Sequence, residues 1–534
     1  MYKVPQQLSY RQTGFFSKII SDYIDQQEEL KPFFLHPPDE TGIKEAILKR
    51  RDFKTDRSSL VKVLEAQYAS IDTSSEVKKN IALLSSSNTF TVCTAHQPNI
   101  FTGHLYFIYK ILHSIKLAEH LNAYFAESKF VPVFYMGSED ADLEELGHVF
   151  INGQKYEWET KQTGAVGKMK VDEGFIKLID QVGGQLTIFP YGEPLLQLIK
   201  DCYIKDITIQ EATFRLVNNL FQDHGLIVLI PDSAELKRLM LPIFEDDILN
   251  NTPSEIVGKT SEQLGKYYKV QAHPREINLF YLSDGLRSRL IEKNEIYYVE
   301  GTYVHFTREE IKAELQSHPE CFSPNVILRG LYQEMILPNL AFIGGGGELA
   351  YWLELKDLFH HYNVPFPVLM LRNSFLLIDQ KVKVLYKKLQ FDVTDLFKSE
   401  DTLINELVKK ESTRQLYLTL EKQEVKDLYD EIKKSVHQID ATLTAHTEAL
   451  LTRTLKGLDS LEKKMLKAEK RNFETQLKQI KKIKTLLFPN EELQERVENF
   501  MPYYAKLGKD FIKSLHKNSL IFQQEFCVLT EEDN

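Results

Sequence analysis

Apolar positions change their period along the chain. Up to about residue 90 they recur at helical spacing, as at Phe15, Phe16, Ile19, Ile20, Tyr23 and Ile24, with Pro32, Pro37 and Pro38 as breaks. From there the pattern becomes strand, turn, helix. Residues 90–94 are a short apolar run, residues 105–121 carry Leu105, Ile108, Leu112 and Ile115 on one helix face, and residues 130–136 are a second apolar run. That order predicts a βαβ crossover and hence parallel strands. Turn signals at Asn152-Gly153 and Gly183-Gly184, with strands at 226–230, near 281 and at 295–299, mark an α+β insertion. A strand at 340–343, four glycines, a helix at 348–361 and a strand at 365–372 then resume the α/β pattern.

From about 400 to 488 there is no proline and a single glycine, Gly457. Val425, Leu428, Ile432, Val436, Ile439 and Leu443 alternate steps of three and four, the spacing of a coiled-coil seam. A stripe so narrow needs a partner, which predicts an antiparallel hairpin turning within 446–457, with a second chain covering what remains exposed. The expected layout is a helical N-terminal segment and first half-core at 1–150, insertions at 151–320 and a second half-core at 321–380. The coiled coil follows at 381–490, and 491–534 packs back on the core.

With 534 residues and 43% apolar content, two to four packed domains are expected. A formal net charge of −10 argues against general nucleic-acid binding. Cys93, Cys202, Cys321 and Cys527 lie too far apart for a zinc knuckle or redox pair and suit free thiols in a reducing compartment. No metal-ligating set is read from the sequence. No basic cap and apolar stretch opens the chain, and no run is long enough to span a bilayer, so a cytoplasmic protein with no membrane partner is expected.

In an open parallel sheet, the turns after the strands share one edge, where ligands bind. Three such turns carry chemistry. The first, 94–104, gathers His96, Gln97, Asn99, Thr102, Gly103 and His104 ahead of a helix, with Thr102 to His104 where an N-cap and first turn should stand. The second places Glu139, Asp140 and Asp142 after a strand, as ammonium ligands, a base or Mg²⁺ carriers. The third runs from Arg329, Gln333, Glu334 and Asn339 into Gly344, Gly345, Gly346 and Gly347, then Glu348, Tyr351 and Trp352. Arg372 and Ser374 end the last strand, and an arginine there suits a carboxylate or phosphate, or a structural ion pair. His96, His104, Asp140 and Asp142 are the catalytic candidates; the others are candidates for substrate binding. A basic run from Lys463 to Lys484 reads as a solvated helix face or as an anion site.

The motifs at 94–110, 133–142, 328–334 and 337–352 resemble those of the bacillithiol-biosynthesis cysteine-adding family, BshC, and the likeness runs over essentially the whole chain. The resemblance implies a Rossmann-like core with connecting insertions, similar to the nucleotidyltransferase superfamily that includes class I aminoacyl-tRNA synthetases, and a C-terminal coiled coil that mediates dimerisation. It implies a ligase that adds L-cysteine to glucosaminyl-malate, with ATP as activator and Mg²⁺ as a possible companion. Thr102-Gly103-His104 resembles the second half of that superfamily's histidine signature; its lysine-rich second signature has no convincing copy. The alternatives are a nonenzymatic coiled-coil assembly partner and a nucleotidyltransferase acting on another small substrate.

Overall fold

In chain order the strands that matter are β1 (Tyr2–Leu8), β2 (Thr89–His96), β3 (Lys129–Met136), β4 (Ile227–Leu229), β5 (Asn339–Gly344), β6 (Val368–Leu371), β7 (Ser374–Ile378) and β8 (Phe526–Glu531). This computed structural model describes residues 2–532. One unit holds the chain up to Leu377 and from Glu492 onward; the other is Ile378–Glu491.

The central sheet of the first unit has the order β6-β5-β2-β3-β4, with every neighbouring pair parallel. Its strands are buried on both faces, which is why they read as unbroken apolar runs rather than as alternation. Helix α1 (Leu105–Tyr124) crosses from β2 to β3 and buries Leu117, Ala118 and Leu121 against Phe90, Val92, Phe130, Leu340 and Val368. The register pairs His96 with Met136, Gly344 with Leu371 and Tyr135 with Leu229. All five strands therefore end along one edge.

The insertion forms a separate antiparallel sheet built from Leu279–Ser283, Leu286–Lys293, Ile296–Val299, His305–Phe306 and Phe322–Pro324. β1, absent from the periodicity reading, pairs antiparallel with β8, Leu8 opposite Phe526, in a three-stranded sheet with β7. Its sequence, with two glutamines and a proline in seven residues, carries no strand signal. The expected helix at 348–361 is two helices, α2 (Gly346–Trp352) and Lys356–His361. Buried Glu354 lies at the break, accepting the N–H groups of Gln271 and Ala272 at 2.9 and 3.0 Å.

In the second unit, α3 (Glu400–Glu411), α4 (Thr419–Ile439), α5 (Leu443–Glu469) and α6 (Glu474–Leu487) account for the proline-free stretch. Contacts between α4 and α5 run in opposite directions: Lys422 to Glu462 at 2.7 Å, Tyr429 to Thr454 at 3.0 Å, His437 to Thr444 at 3.1 Å. The hairpin turns at Asp440, earlier than expected, because the Asp440 carboxylate takes the N–H of Thr442 at 2.8 Å and ends the helix. Leu420, Leu428, Ile432, Ile439 and Leu443 remain exposed along it. Lys484, from the basic run, is turned to internal use, donating to the carbonyls of Leu396 and Lys398 at 2.9 and 2.8 Å.

Candidate functional site

At the common strand edge lies a cleft of about 1090 Å³, all within the first unit. The turns after the strands supply His96, Gln97, Glu139, Asp140, Pro231, Gly345 and Arg372, and the insertion closes the opposite side with Arg275, Phe280 and Arg287.

The first turn is held in an unusual backbone. Phe101, Thr102 and Gly103 have φ of +51°, +68° and +65°, and a β-branched threonine in that region costs on the order of 1–3 kcal/mol. The conformation is over-determined from outside. The Asn499 side chain donates to the carbonyls of Phe101 and Gly103, Tyr203 Oη accepts the Phe101 N–H at 3.1 Å, and the Glu498 carbonyl accepts the Leu105 N–H at 2.8 Å. Thr102 is buried, does not line the cleft and is not the helix cap; His104 holds the N-cap position without a side-chain cap bond. Asn99 is also buried, packed against Gly103, where a Cβ would come within 2.8 Å of it.

Both expected histidines line the cleft, as does His273. His96 has a shielded Nε2 with no hydrogen-bond partner, and burial, reinforced by Lys110 nearby, holds its pKa well below the usual value. It is a neutral imidazole with a free nitrogen. His104 Nδ1 lies 3.1 Å from the Val497 carbonyl, and burial lowers its pKa too.

Among the acids, Asp140 lines the cleft and accepts from Gln97 Nε2 at 3.3 Å. Glu139 is bound by Lys237, a fully buried lysine that also meets Asp232 at 2.8 Å, and burial pushes the Glu139 carboxyl up. Asp142 does not face the cleft: it is exposed and caps the helix Leu143–Leu146 through the Glu145 N–H at 3.0 Å.

None of Gly344 to Gly347 needs a left-handed conformation. Gly344 is required by space, since a Cβ there would meet Leu349 Cδ1 at 2.7 Å and Phe342 Cε1 at 2.8 Å; nothing lies within 4 Å of one on Gly347. The start of α2 is not an open anion cradle. Glu348 folds back so that its Oε2 takes the Gly345 N–H at 2.8 Å and Lys110 Nζ at 2.5 Å, placing the protein's own carboxylate there.

The anion-binding capacity sits on arginines instead. Arg329 points into the cleft, its guanidinium donating to Tyr351 Oη and lying 5.9 Å from the Tyr135 ring centroid. Among the described residues no carboxylate lies within ion-pair distance of it. Arg372 is answered by Glu495 at 2.7 Å and Ser374 Oγ at 3.0 Å, so its charge is largely spent inside the protein.

Five more expected site residues lie outside the cleft for identifiable reasons. Gln333, Glu334 and Asn339 form a buried network around Arg50: Glu334 accepts from Arg50 at 2.5 Å, Asn339 at 2.7 Å and Gln333 at 3.0 Å. Trp352 is fully buried and stacked on Phe342 at 4.5 Å. Ser374 is likewise buried, between Arg372 and Glu495. Sequence reasoning missed Tyr106 and Tyr135, which stand inside the motifs at 94–110 and 133–142, and Arg275, Arg287 and Arg496, which line the cleft from stretches with no motif to mark them.

Two family models together match nearly the whole chain: the bacillithiol biosynthesis BshC N-terminal Rossmann-like domain over residues 4–373, and the BshC C-terminal coiled-coil domain over 375–531. A protein of Flavobacterium johnsoniae is 39% identical, covering 98% of this chain and 99% of its own. Proteins of Flavobacterium psychrophilum (39% identical, 95% and 96%) and Christiangramia forsetii (36%, 98% and 98%) are similar. All three bear the name "Putative cysteine ligase BshC". No helix is long and apolar enough to cross a membrane among the described residues.

Proposed function

The chain belongs to the bacillithiol biosynthesis BshC family and is a ligase, and from that premise we propose that it forms the amide between L-cysteine and the sugar amine of glucosaminyl-malate. The observation that carries the reading is the pairing, in one cleft, of His96, an imidazole whose buried Nε2 has no hydrogen-bond partner, with an arginine lacking a carboxylate, Arg329.

Amide formation from a free carboxylate is uphill in water, so the cysteine carboxylate must first carry a leaving group. ATP is the activator we assign. The arginine-rich wall fits a polyanion, and Arg329, Arg275 and Arg496 are the residues that would hold its phosphates. Asp140 offers the carboxylate that receives the cysteine ammonium. The sugar amine attacks the activated carbonyl as the free base, the C–N bond forms, the C–O bond to the leaving phosphate breaks, and the amine proton passes to His96. Burial, with Lys110 nearby, holds the imidazole pKa well below its ordinary value, so it is unprotonated at neutral pH. The exposed stripe of Leu428, Ile432 and Ile439 on the hairpin supports a second copy of the chain as its cover.

Purified protein is incubated with L-cysteine, glucosaminyl-malate and ATP, and the mixture is followed by mass spectrometry. A bacillithiol mass that needs all three confirms the reading. A product independent of ATP removes the activation step, and no product under varied activators removes the substrate assignment.

A further inference from the structure

Away from the cleft, three stretches of chain bring Glu119, His224 and His516 together. Glu119 is on α1, His224 ends the turn Gln222–His224, and His516 is on α7 (Lys509–Asn518). Their sequence separations carry no ligand spacing, so the cluster is visible only in three dimensions.

The carboxylate lies between the rings. Glu119 Oε2 is 2.9 Å from His516 Nε2, Oε1 is 3.7 Å from His224 Nδ1, and one ligand atom from each residue lies within 4.8 Å of the other two. Zinc bound tetrahedrally at about 2.0–2.1 Å would space its ligands roughly 3.3 Å apart, and the two measured distances straddle that spacing. His516 Nε2 is shielded from water and makes no directed hydrogen bond despite its short approach to the carboxylate. The imidazole rings are 4.9 Å apart at 43°, tilted rather than stacked.

The scaffold is specific. His224 is held by Gly225, whose φ is +67° and whose carbonyl accepts Asn80 Nδ2 at 2.7 Å; a Cβ on that glycine would lie 2.4 Å from the same nitrogen. The three side chains are 48%, 23% and 18% exposed, so water reaches the cluster.

We propose that Glu119, His224 and His516 bind a zinc-type divalent cation, with water as fourth ligand, pinning α7 to α1. Two imidazoles and one carboxylate match zinc, whereas magnesium and calcium prefer oxygen alone.

The test uses the full-length protein, stripped of metal and titrated with zinc by calorimetry, and with cobalt(II) as an optical reporter. The expected result is one site per chain, a tetrahedral cobalt spectrum and a Tm raised by zinc. His224→Gln, Glu119→Gln and His516→Gln should each weaken zinc by about 100-fold or more, since loss of an outer partner alone costs 10–100-fold. His224 stands in a surface turn, so its variant keeps the test open if His516→Gln fails to fold. Circular dichroism of each metal-free variant checks the fold. Zinc bound equally by wild type and all three variants overturns the proposal, as does no zinc uptake by the wild type.

Discussion

Glu334 is the sharpest test of how polar residues near the glycine turn divide between chemistry and structure. Its side chain is 0% exposed and its partner Arg50 is 1% exposed, at 2.5 Å. Glu334→Gln keeps the shape and the Asn339 contact but removes the negative charge, leaving a buried guanidinium without a counter-ion. Such half-broken buried pairs cost about 3–5 kcal/mol. Arg50 retains the carbonyls of Glu334, Leu337 and Pro365 at 2.9, 3.4 and 3.1 Å, which places the expected loss near the lower end, about 3 kcal/mol. Urea unfolding followed by tryptophan fluorescence reads it cleanly, because Trp158 and Trp352 are the chain's two tryptophans and both lie in the first unit. The folded variant should keep kcat/KM within about twofold of wild type. Arg50→Met with Glu334→Met should recover much of the loss, since replacing both buried charges by apolar groups is often neutral. A drop in kcat/KM of tenfold or more with an unmoved unfolding midpoint would refute the structural assignment and return Glu334 to the reacting centre.

Arg329→Met should lower kcat/KM by about 10- to 100-fold, the worth of a charge-assisted hydrogen bond of about 1.5–3 kcal/mol, with the unfolding midpoint unchanged; steady-state kinetics check it. Gly344→Ala should cost about 1–3 kcal/mol from the clash with Leu349 and Phe342, whereas Gly347→Ala, with open space, should be neutral or gain up to about 1 kcal/mol; paired urea curves distinguish them. His113 is buried and neutral, accepting the Asn373 N–H at Nδ1 (3.2 Å), and burial lowers its pKa to about 4. The unfolded chain binds that proton below about 6.5, so stability is full above that pH and falls as pH drops toward 4, by about 3 kcal/mol in total. His113→Gln should flatten the pH dependence of ΔG by about one proton between pH 4 and 6.5.

The parallel core was legible because strands buried on both faces are written as continuous apolar runs, as in β2 and β3. Their shared edge followed from the topology, and with it the location of the turns after them. What could not be read was which polar residue points where. Gln333, Glu334 and Asn339 stand in a motif next to the glycines, yet they answer an arginine about 280 residues earlier, Arg50. Glu348 looks like a ligand-facing acid and is the residue that closes the N-terminus of α2. Arg275 and Arg287 come from the insertion with no local signal at all. Pairings made over long separations leave no period in the sequence.

The clamp on the first turn has a temporal consequence. Asn499, Glu498 and Glu495, which fix Gly103, Leu105 and Arg372, are translated only after the whole helical hairpin has been synthesised. A nascent chain can pair its parallel strands early, but the strained loop at Thr102 has nothing to hold it until then. Competence of the cleft is therefore acquired late in synthesis, and a stalled or prematurely terminated product would carry a formed sheet beside a slack loop.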